Sequence, residues 1–406
     1  MSLPTSCTDV TNCSEVEGDV YVDNNSLICW EFCNVNACTL QELSECVYDF
    51  IRPTCLEWFF ISLHLVVFVV GVVGNFLVCF VVLRSSHMQT VTNLFIVNLA
   101  VADFVVLIFA SPTSVLQAVT ETWFLGETMC KITYFIQIQS FAVSVQTLCA
   151  IAVERYFAIC KPLKTRITNR KVSLTILIIW LIATIIALPA AIFIVMERTF
   201  RSLELANYLT HCKFMVDDLF HQIYHLTLVV TLYVVPMLTM GVFYTIISHH
   251  LWHVKVPGVS VRSKMRSADD SCPEYRSNSD AHLASRKKVA KMLIAIVLLF
   301  AAFYLPQNLI FALRYTRIMN IMNNWEGVPI LFVAANWLVY LNSSLNPVIY
   351  NFMSAKFKKE FRRVFRSSRP ERSNLLHEST YELGKMRLHQ RTPLTQSSDL
   401  HNGTHV

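Results

Sequence analysis

The feature that most constrains this chain is where its apolar residues lie. They gather into seven long runs, at residues 58–83, 94–119, 129–160, 174–196, 223–247, 290–313 and 328–352. A helix needs about 20 mostly apolar residues in a row to cross the hydrocarbon of a bilayer. Each run is long enough, although polar residues interrupt the third and the seventh. No alternation of apolar and polar residues recurs, which argues against a transmembrane barrel. In hydrocarbon each backbone N–H and C=O must bond within its own segment, so helices are expected. The reading is an all-α membrane protein, a bundle of seven transmembrane helices. Charged residues make up only 15% of the chain, against roughly 25% in soluble domains. That excludes a disordered chain, a nucleic-acid-binding domain and most cytosolic enzymes.

Orientation follows from Lys and Arg in the connecting segments. Residues 1–55 hold one basic residue, Arg52, among nine acids. The segments after runs three, five and seven are rich in base, among them Lys161, Lys164, Arg286, Lys287, Lys288, Lys358 and Arg362. The amino terminus is therefore expected outside a plasma membrane and the carboxyl terminus in the cytoplasm. Residues 1–55 read as an extracellular, acidic, Cys-rich segment, 56–353 as the bundle, and 354–406 as a cytoplasmic helix and tail. Seven cysteines precede the first run, a disulfide framework suited to an oxidising exterior. Asn12 and Asn24 begin glycosylation sequons on the same side.

Two shorter helices are expected outside the runs. Residues 39–50 place Leu40, Leu43, Val47 and Phe50 at helical spacing. Residues 352–365 set Phe357, Phe361 and Phe365 four apart among lysines and arginines, a cationic amphipathic helix suited to the inner leaflet. Beyond it the tail is polar and rich in Ser and Thr, expected to be disordered. Phosphorylation there would suit an arrestin-like basic surface. The ending Thr404-His405-Val406 fits strand addition to a PDZ domain.

Charge inside hydrocarbon is costly and asks for a reason. Asp103 falls mid-way along the second run. Asn75, Asn98, Ser144, Asn342, Ser343 and Asn346 fall at comparable depth in others. A lone carboxylate with such partners suits a small cation such as sodium, or a proton. Interhelical hydrogen-bond glue is the plainer alternative. No other cofactor is indicated. Glu154-Arg155-Tyr156 lies 25 residues after Cys130, about 37 Å along a helix, so the two mark opposite membrane faces. Cys212, in the loop after the fourth run, is the expected disulfide partner of Cys130. Pro189, Pro236, Pro306 and Pro347 each fall inside a run, where proline frees a carbonyl and kinks the helix.

Taken in order, one set per run, these motifs resemble the class A (rhodopsin-like) G-protein-coupled receptors. The carriers are Gly74-Asn75, Asn98-Leu99-Ala100-Val101-Ala102-Asp103, Cys130 with Glu154-Arg155-Tyr156, Trp180, Pro236, Phe300 with Tyr304-Leu305-Pro306, and Asn346-Pro347-Val348-Ile349-Tyr350. Within that class the chain is similar to neuropeptide receptors of orexin and allatotropin type. Met88-Gln89-Thr90-Val91-Thr92-Asn93, Thr120-Glu121-Thr122-Trp123-Phe124, Tyr224-His225 and Trp337-Leu338-Val339-Tyr340 carry that likeness. Ala190, Phe311 and Asn336 depart from it, standing where orexin receptors carry polar or imidazole groups.

The resemblance implies an extracellular, amidated peptide ligand and a heterotrimeric G protein of Gq type. Gln137 sits where amine receptors carry Asp, and its neutrality argues against an amine, whose ammonium needs a counter-ion. Gln137, Tyr224, His225, Asn336 and Tyr340 are the expected ligand contacts. Glu154, Arg155, Tyr156, Tyr304, Pro306, Asn346, Pro347 and Tyr350 are the expected activation and coupling residues. Asp103, Ser144, Asn342, Ser343 and Asn346 are the expected sodium ligands. No Ser/His/Asp set or phosphate loop is placed for catalysis, so no enzyme is expected. Neither repeat symmetry nor paired intramembrane charges favour a transporter. The alternative is a constitutive or scaffold-type seven-helix protein without a peptide ligand.

Overall fold

The computed structural model describes residues 40–161, 168–198, 208–253, 273–315 and 328–366. The expectations for Asn12, Asn24, residue 39 at the start of the first short helix and the Ser/Thr-rich tail lie outside these residues.

A short helix, α1 (Leu40–Phe50), precedes the bundle and buries Val47 completely. Helix α2 (Cys55–Arg84) opens on a capping box. The Glu57 N–H donates to Thr54 Oγ1 at 3.3 Å, and the Thr54 N–H returns to Glu57 Oε2 at 2.7 Å. The exchange satisfies two amides that have no partner within the helix. The second run forms two helices, α3 (Val91–Phe109) and α4 (Ser111–Thr120). The break was not foreseen. Pro112 in the first turn of α4 has no N–H to continue the ladder, and Ala110 serves as the hinge.

Helix α5 (Gly126–Cys160) is followed by α6 (Asn169–Phe193). The fourth run was expected to continue as helix to residue 196. Instead Ile194–Arg198 is strand β1, paired antiparallel with β2 (Thr210–Phe214), and Met196 lies opposite Cys212. Ile194 and Met196 are apolar because they pack inward on Cys130, Trp123 and Ala190. An apolar strand of this length cannot be told from a helix end by periodicity.

The fifth run is α7 (Asp218–Val229), one wide π turn at Val230–Val234, and α8 (Val235–His253). The widened turn comes just before Pro236, whose ring crowds the preceding turn. Helices α9 (Pro273–Tyr315) and α10 (Val328–Met353) follow, with Pro306 and Pro347 inside them. Last comes α11 (Ala355–Arg366). Phe352, expected in this final helix, belongs to α10 and is exposed.

Among the described residues, six helical segments are long and apolar enough to cross a membrane. The seventh span, α10, has 26 residues, among them the buried polar residues Asn342, Ser343, Ser344 and Asn346. It packs against α2, α3 and α9 and turns those groups inward. The result is a seven-helix bundle in which α5 touches α3, α6 and α8, and α10 closes the ring onto α2. Polarity is distributed inside out. Asn75, Asn98, Asp103, Ser343 and Asn346 are buried, while Leu65, Val66, Ile185 and Leu238 are each more than 60% exposed. Such a surface suits hydrocarbon.

Backbones approach closely where α2 meets α10. A Cβ on Gly74 would lie 2.8 Å from Pro347 Cβ, and one on Gly71 3.1 Å from Ser344 Cβ and 2.4 Å from Leu107 Cδ1 of α3. No side chain larger than hydrogen fits there without movement, a role typical of small residues between membrane helices.

Candidate functional site

The polar residues form three groups along the bundle. The first lies toward the Cys130 end. The disulfide Cys130–Cys212 ties the first turn of α5 to β2, with Cα atoms 6.0 Å apart. Around it the loop after α4 is sewn to β2. The Trp123 N–H donates to the Thr210 carbonyl at 2.8 Å, and Thr210 Oγ1 donates back to the Trp123 carbonyl at 2.5 Å. The Trp123 indole N–H reaches the Gly126 carbonyl at 2.8 Å. His211, on β2, faces Glu121 and Glu197, yet burial dominates and holds its imidazole below the usual 6.5.

Below this hairpin Gln137 makes the central contacts. Its Nε2 donates to Tyr340 Oη and to Ser114 Oγ, both at 2.8 Å. Ser114 and Tyr340 are themselves joined at 2.7 Å, and Tyr340 also reaches the Ala110 carbonyl. The hydroxyl of Tyr340 thereby links α4, α5 and α10. Ser114 was not among the expected residues. Its proximity depends on the unforeseen break at Ala110, which sets the direction of α4.

Tyr224 and His225 do not join this hub. Tyr224 Oη donates to the Ile186 carbonyl at 2.9 Å, in the turn of α6 just before Pro189. The two rings belong to an aromatic group with Phe214, His221 and Phe311. Asn336 is half-buried on α10. Several buried polar atoms in this half have no partner: Gln307 Oε1, Trp337 Nε1 and His64 Nε2, the last on a ring edge-on to Tyr340 at 6.2 Å. They leave hydrogen-bonding capacity for a ligand or water.

Below the hub Phe141, Phe300 and Tyr304 stack, their centroids 4.4–5.9 Å apart. The second polar group lies at mid-span. Asn346 Nδ2 donates to Asp103 Oδ2 at 2.7 Å, and Ser343 hydrogen-bonds the same carboxylate. Ser144 and Asn342 are buried as well. Asn75 Nδ2 donates to the Ser343 carbonyl at 3.0 Å and to the Gly71 carbonyl at 2.9 Å. Asn98 takes a hydrogen bond from Trp180 Nε1 at 2.8 Å and gives one to Thr147 Oγ1 at 2.7 Å. Asp103 offers a carboxylate and Ser343 a hydroxyl oxygen, while Asn346 turns its amide nitrogen to the carboxylate.

The third group is at the far end of α5. Arg155 grips its neighbour Glu154 through two contacts, Nε–Oε2 at 2.5 Å and Nη2–Oε1 at 2.7 Å. Thr92, at the start of α3, accepts from Arg155 Nη2 and donates to Glu154 Oε2 at 3.1 Å. Thr92, named in the sequence only as part of a family likeness, was not among the expected coupling residues. Its signal was its level, since α3 starts where α5 ends. Tyr156 packs on Phe243 of α8, and Tyr350 stacks on Phe357 with its hydroxyl buried and without a partner.

Residues 74–350 match the 7 transmembrane receptor (rhodopsin family). The chain is 30% identical over 326 residues to a neuromedin-K receptor of Oryctolagus cuniculus, covering 80% of this chain and 65% of that protein. It is 32% identical over 336 residues to a neuromedin-K receptor of Cavia porcellus, covering 81% and 69%. The chain thus spans about two thirds of the length of these relatives. Members of the family are receptors, not enzymes, and cross the membrane several times. On the match of residues 74–350, the chain belongs to the rhodopsin family of seven-transmembrane receptors.

Proposed function

We propose that this receptor sits in the plasma membrane, amino terminus outside, and binds an extracellular, amidated neuropeptide of orexin or allatotropin type. The observation that carries the reading is the Gln137–Tyr340–Ser114 hub. It is neutral and can both donate and accept, as a peptide carboxamide requires. Tyr224, His225 and Asn336 would line the walls above it. The names of the relatives add neuromedin K as a rival peptide.

Signalling then runs by population shift. The agonist prefers the active state, and the pre-existing equilibrium follows. At rest, Glu154 and Thr92 hold Arg155. In the active state Arg155 and Tyr156 meet a heterotrimeric G protein of Gq type. Tyr304 and the Pro306 bend, with Pro347 and Tyr350, relay the change. Asp103, Ser144, Asn342, Ser343 and Asn346 would hold sodium at rest. Arrestin at the phosphorylated tail and a PDZ domain at Val406 complete the proposed partners.

A calcium assay in transfected cells tests this against orexin, allatotropin and neuromedin K peptides. A response is expected to at least one of them. Gln137→Leu should then raise the effective concentration about tenfold or more, by stranding the ligand's polar terminus. Silence to all three at normal surface expression would favour the constitutive or scaffold alternative.

A further inference from the structure

Gln307 Oε1 is buried on α9 and accepts no hydrogen bond. A buried acceptor left unmet is costly, so a partner is called for. Its direction follows from its neighbours. Phe300, Tyr304, Gln307 and Phe311 recur at four, three and four, which is one face of a helix. Phe300 and Tyr304 stack on Phe141 of α5, with centroids at 5.9 and 4.6 Å. Phe311 meets His225 of α7 at 5.9 Å. Gln307 sits between these contacts on the same stripe, so it faces the space that α5 and α7 border.

Gln137 borders that space from α5. It lies one turn from Phe141 toward the Cys130 end, as Gln307 lies one turn from Tyr304 in the same direction. The Phe141–Tyr304 stack therefore sets the two glutamines in one layer. Both Nε2 hydrogens of Gln137 are committed, one to Ser114 and one to Tyr340. Among the described residues nothing donates to its Oε1. Two side-chain carbonyls thus border one layer of the cavity with their acceptor capacity unused. A group that meets both must offer two N–H donors from one centre. A primary carboxamide does so, whereas a carboxylate would set oxygen against oxygen. An ammonium has the donors, but neither glutamine supplies the counter-ion that a desolvated charge needs.

We propose that Gln307 makes the receptor select an amidated over a free-acid peptide terminus, its Oε1 and that of Gln137 accepting the two N–H groups of the carboxamide. The inference rests on the peptide reading of the Gln137 hub and adds the residue that reads the terminus. Ser114 and Tyr340 act one step back. By holding Gln137 Nε2 they fix which way its Oε1 points. Gln307 makes no such bond at rest, so its acceptor serves the ligand and not the fold. The selectivity follows from that asymmetry. Removing Gln307 Oε1 costs the empty receptor no hydrogen bond, yet strands one donor of a bound carboxamide.

The test uses the full-length receptor and Gln307→Met, which keeps the side chain's length without its acceptor. Calcium responses are compared for amidated and free-acid forms of orexin, allatotropin and neuromedin K peptides. Gln307→Met should weaken the amidated form about tenfold and leave the free acid unchanged, so the preference shrinks by that factor. Melting of the unliganded variant should match or exceed that of wild type, which a merely structural role would not allow. Gln307→Lys should favour the free acid by offering it a charged donor. A second arm needs no knowledge of the natural peptide. Millimolar N-acetylphenylalaninamide should raise the melting temperature of the purified receptor, N-acetylphenylalanine should not, and Gln307→Met should remove the difference. A preference for the amide that survives Gln307→Met, or an equal loss for both peptide forms, would overturn the proposal. Silence to all three peptides with the N-acetylphenylalaninamide shift intact and dependent on Gln307 would reject the peptide reading and keep the carboxamide site. Silence with no such shift would sink both.

Discussion

The side-chain amide of Asn75 donates at 3.0 Å to the Ser343 carbonyl, the one that Pro347 leaves without a helical partner. Proline at position 347 has no N–H for the residue four before it. In water that carbonyl would be solvated; inside a bundle it needs a protein donor or a bound water. Asn75 supplies one across the helix contact, where Gly74 leaves room for the Pro347 ring. Asn75→Ala should therefore lower stability by about 1–3 kcal/mol by stranding a buried acceptor. Pro347→Ala restores a backbone N–H to Ser343. In the double variant the Asn75 penalty should shrink, and a thermal-unfolding cycle of the four proteins measures the coupling. Strict additivity would mean that the two features are unrelated.

Asn98 makes a second junction, joining α3 to Thr147 of α5 and Trp180 of α6. Trp180→Phe keeps most of the apolar bulk but removes the N–H. The expected loss is about 0.6–2 kcal/mol, the range found for hydrogen bonds between membrane helices. Asn98→Ala breaks both contacts and should cost more than Trp180→Phe. Melting of detergent-solubilised protein in the presence of a thiol-reactive dye reads both.

Seven spans were legible in the sequence because hydrocarbon tolerates few patterns. Asp103 was legible as a buried carboxylate in need of partners for the same reason, but which of the polar residues at its depth would meet it was not. The break at Ala110 and the β1–β2 hairpin were not. Both are short, and both depend on contacts far away in the chain, Tyr340 for the first and Cys130 for the second. Ser114 and Thr92 share that cause. Each is an ordinary hydroxyl until another helix brings Gln137 or Arg155 beside it. The position of Tyr224 was also hidden, since its hydroxyl goes to a carbonyl beside the Pro189 bend and not to a neighbouring polar side chain.

If sodium occupies the Asp103 site, the receptor should melt at a higher temperature in sodium chloride than in choline chloride of equal ionic strength. Ligand that binds only the folded state stabilises it by mass action. Asp103→Asn keeps the shape and the hydrogen bond partners but removes the charge, and should abolish the difference. An undiminished sodium effect in that variant would place the ion elsewhere.

The hairpin end should respond to acid. Burial holds His211 below its ordinary 6.5 in the folded state, despite the nearby carboxylates of Glu121 and Glu197. The unfolded chain then takes up the proton first, so stability is complete above about pH 6.5 and falls as the pH drops toward the lower folded value. His211→Asn has no proton to gain there. Its melting temperature should decline less than that of wild type between pH 7.5 and about pH 5, the other histidines being common to both proteins. Salt sharpens the comparison. The opposing pull of Glu121 and Glu197 is screened at high ionic strength, whereas the burial effect is not. Raising salt should therefore enlarge the acid sensitivity that His211 contributes. A smaller difference between wild type and His211→Asn at high salt would mean that charge, not burial, governs this imidazole.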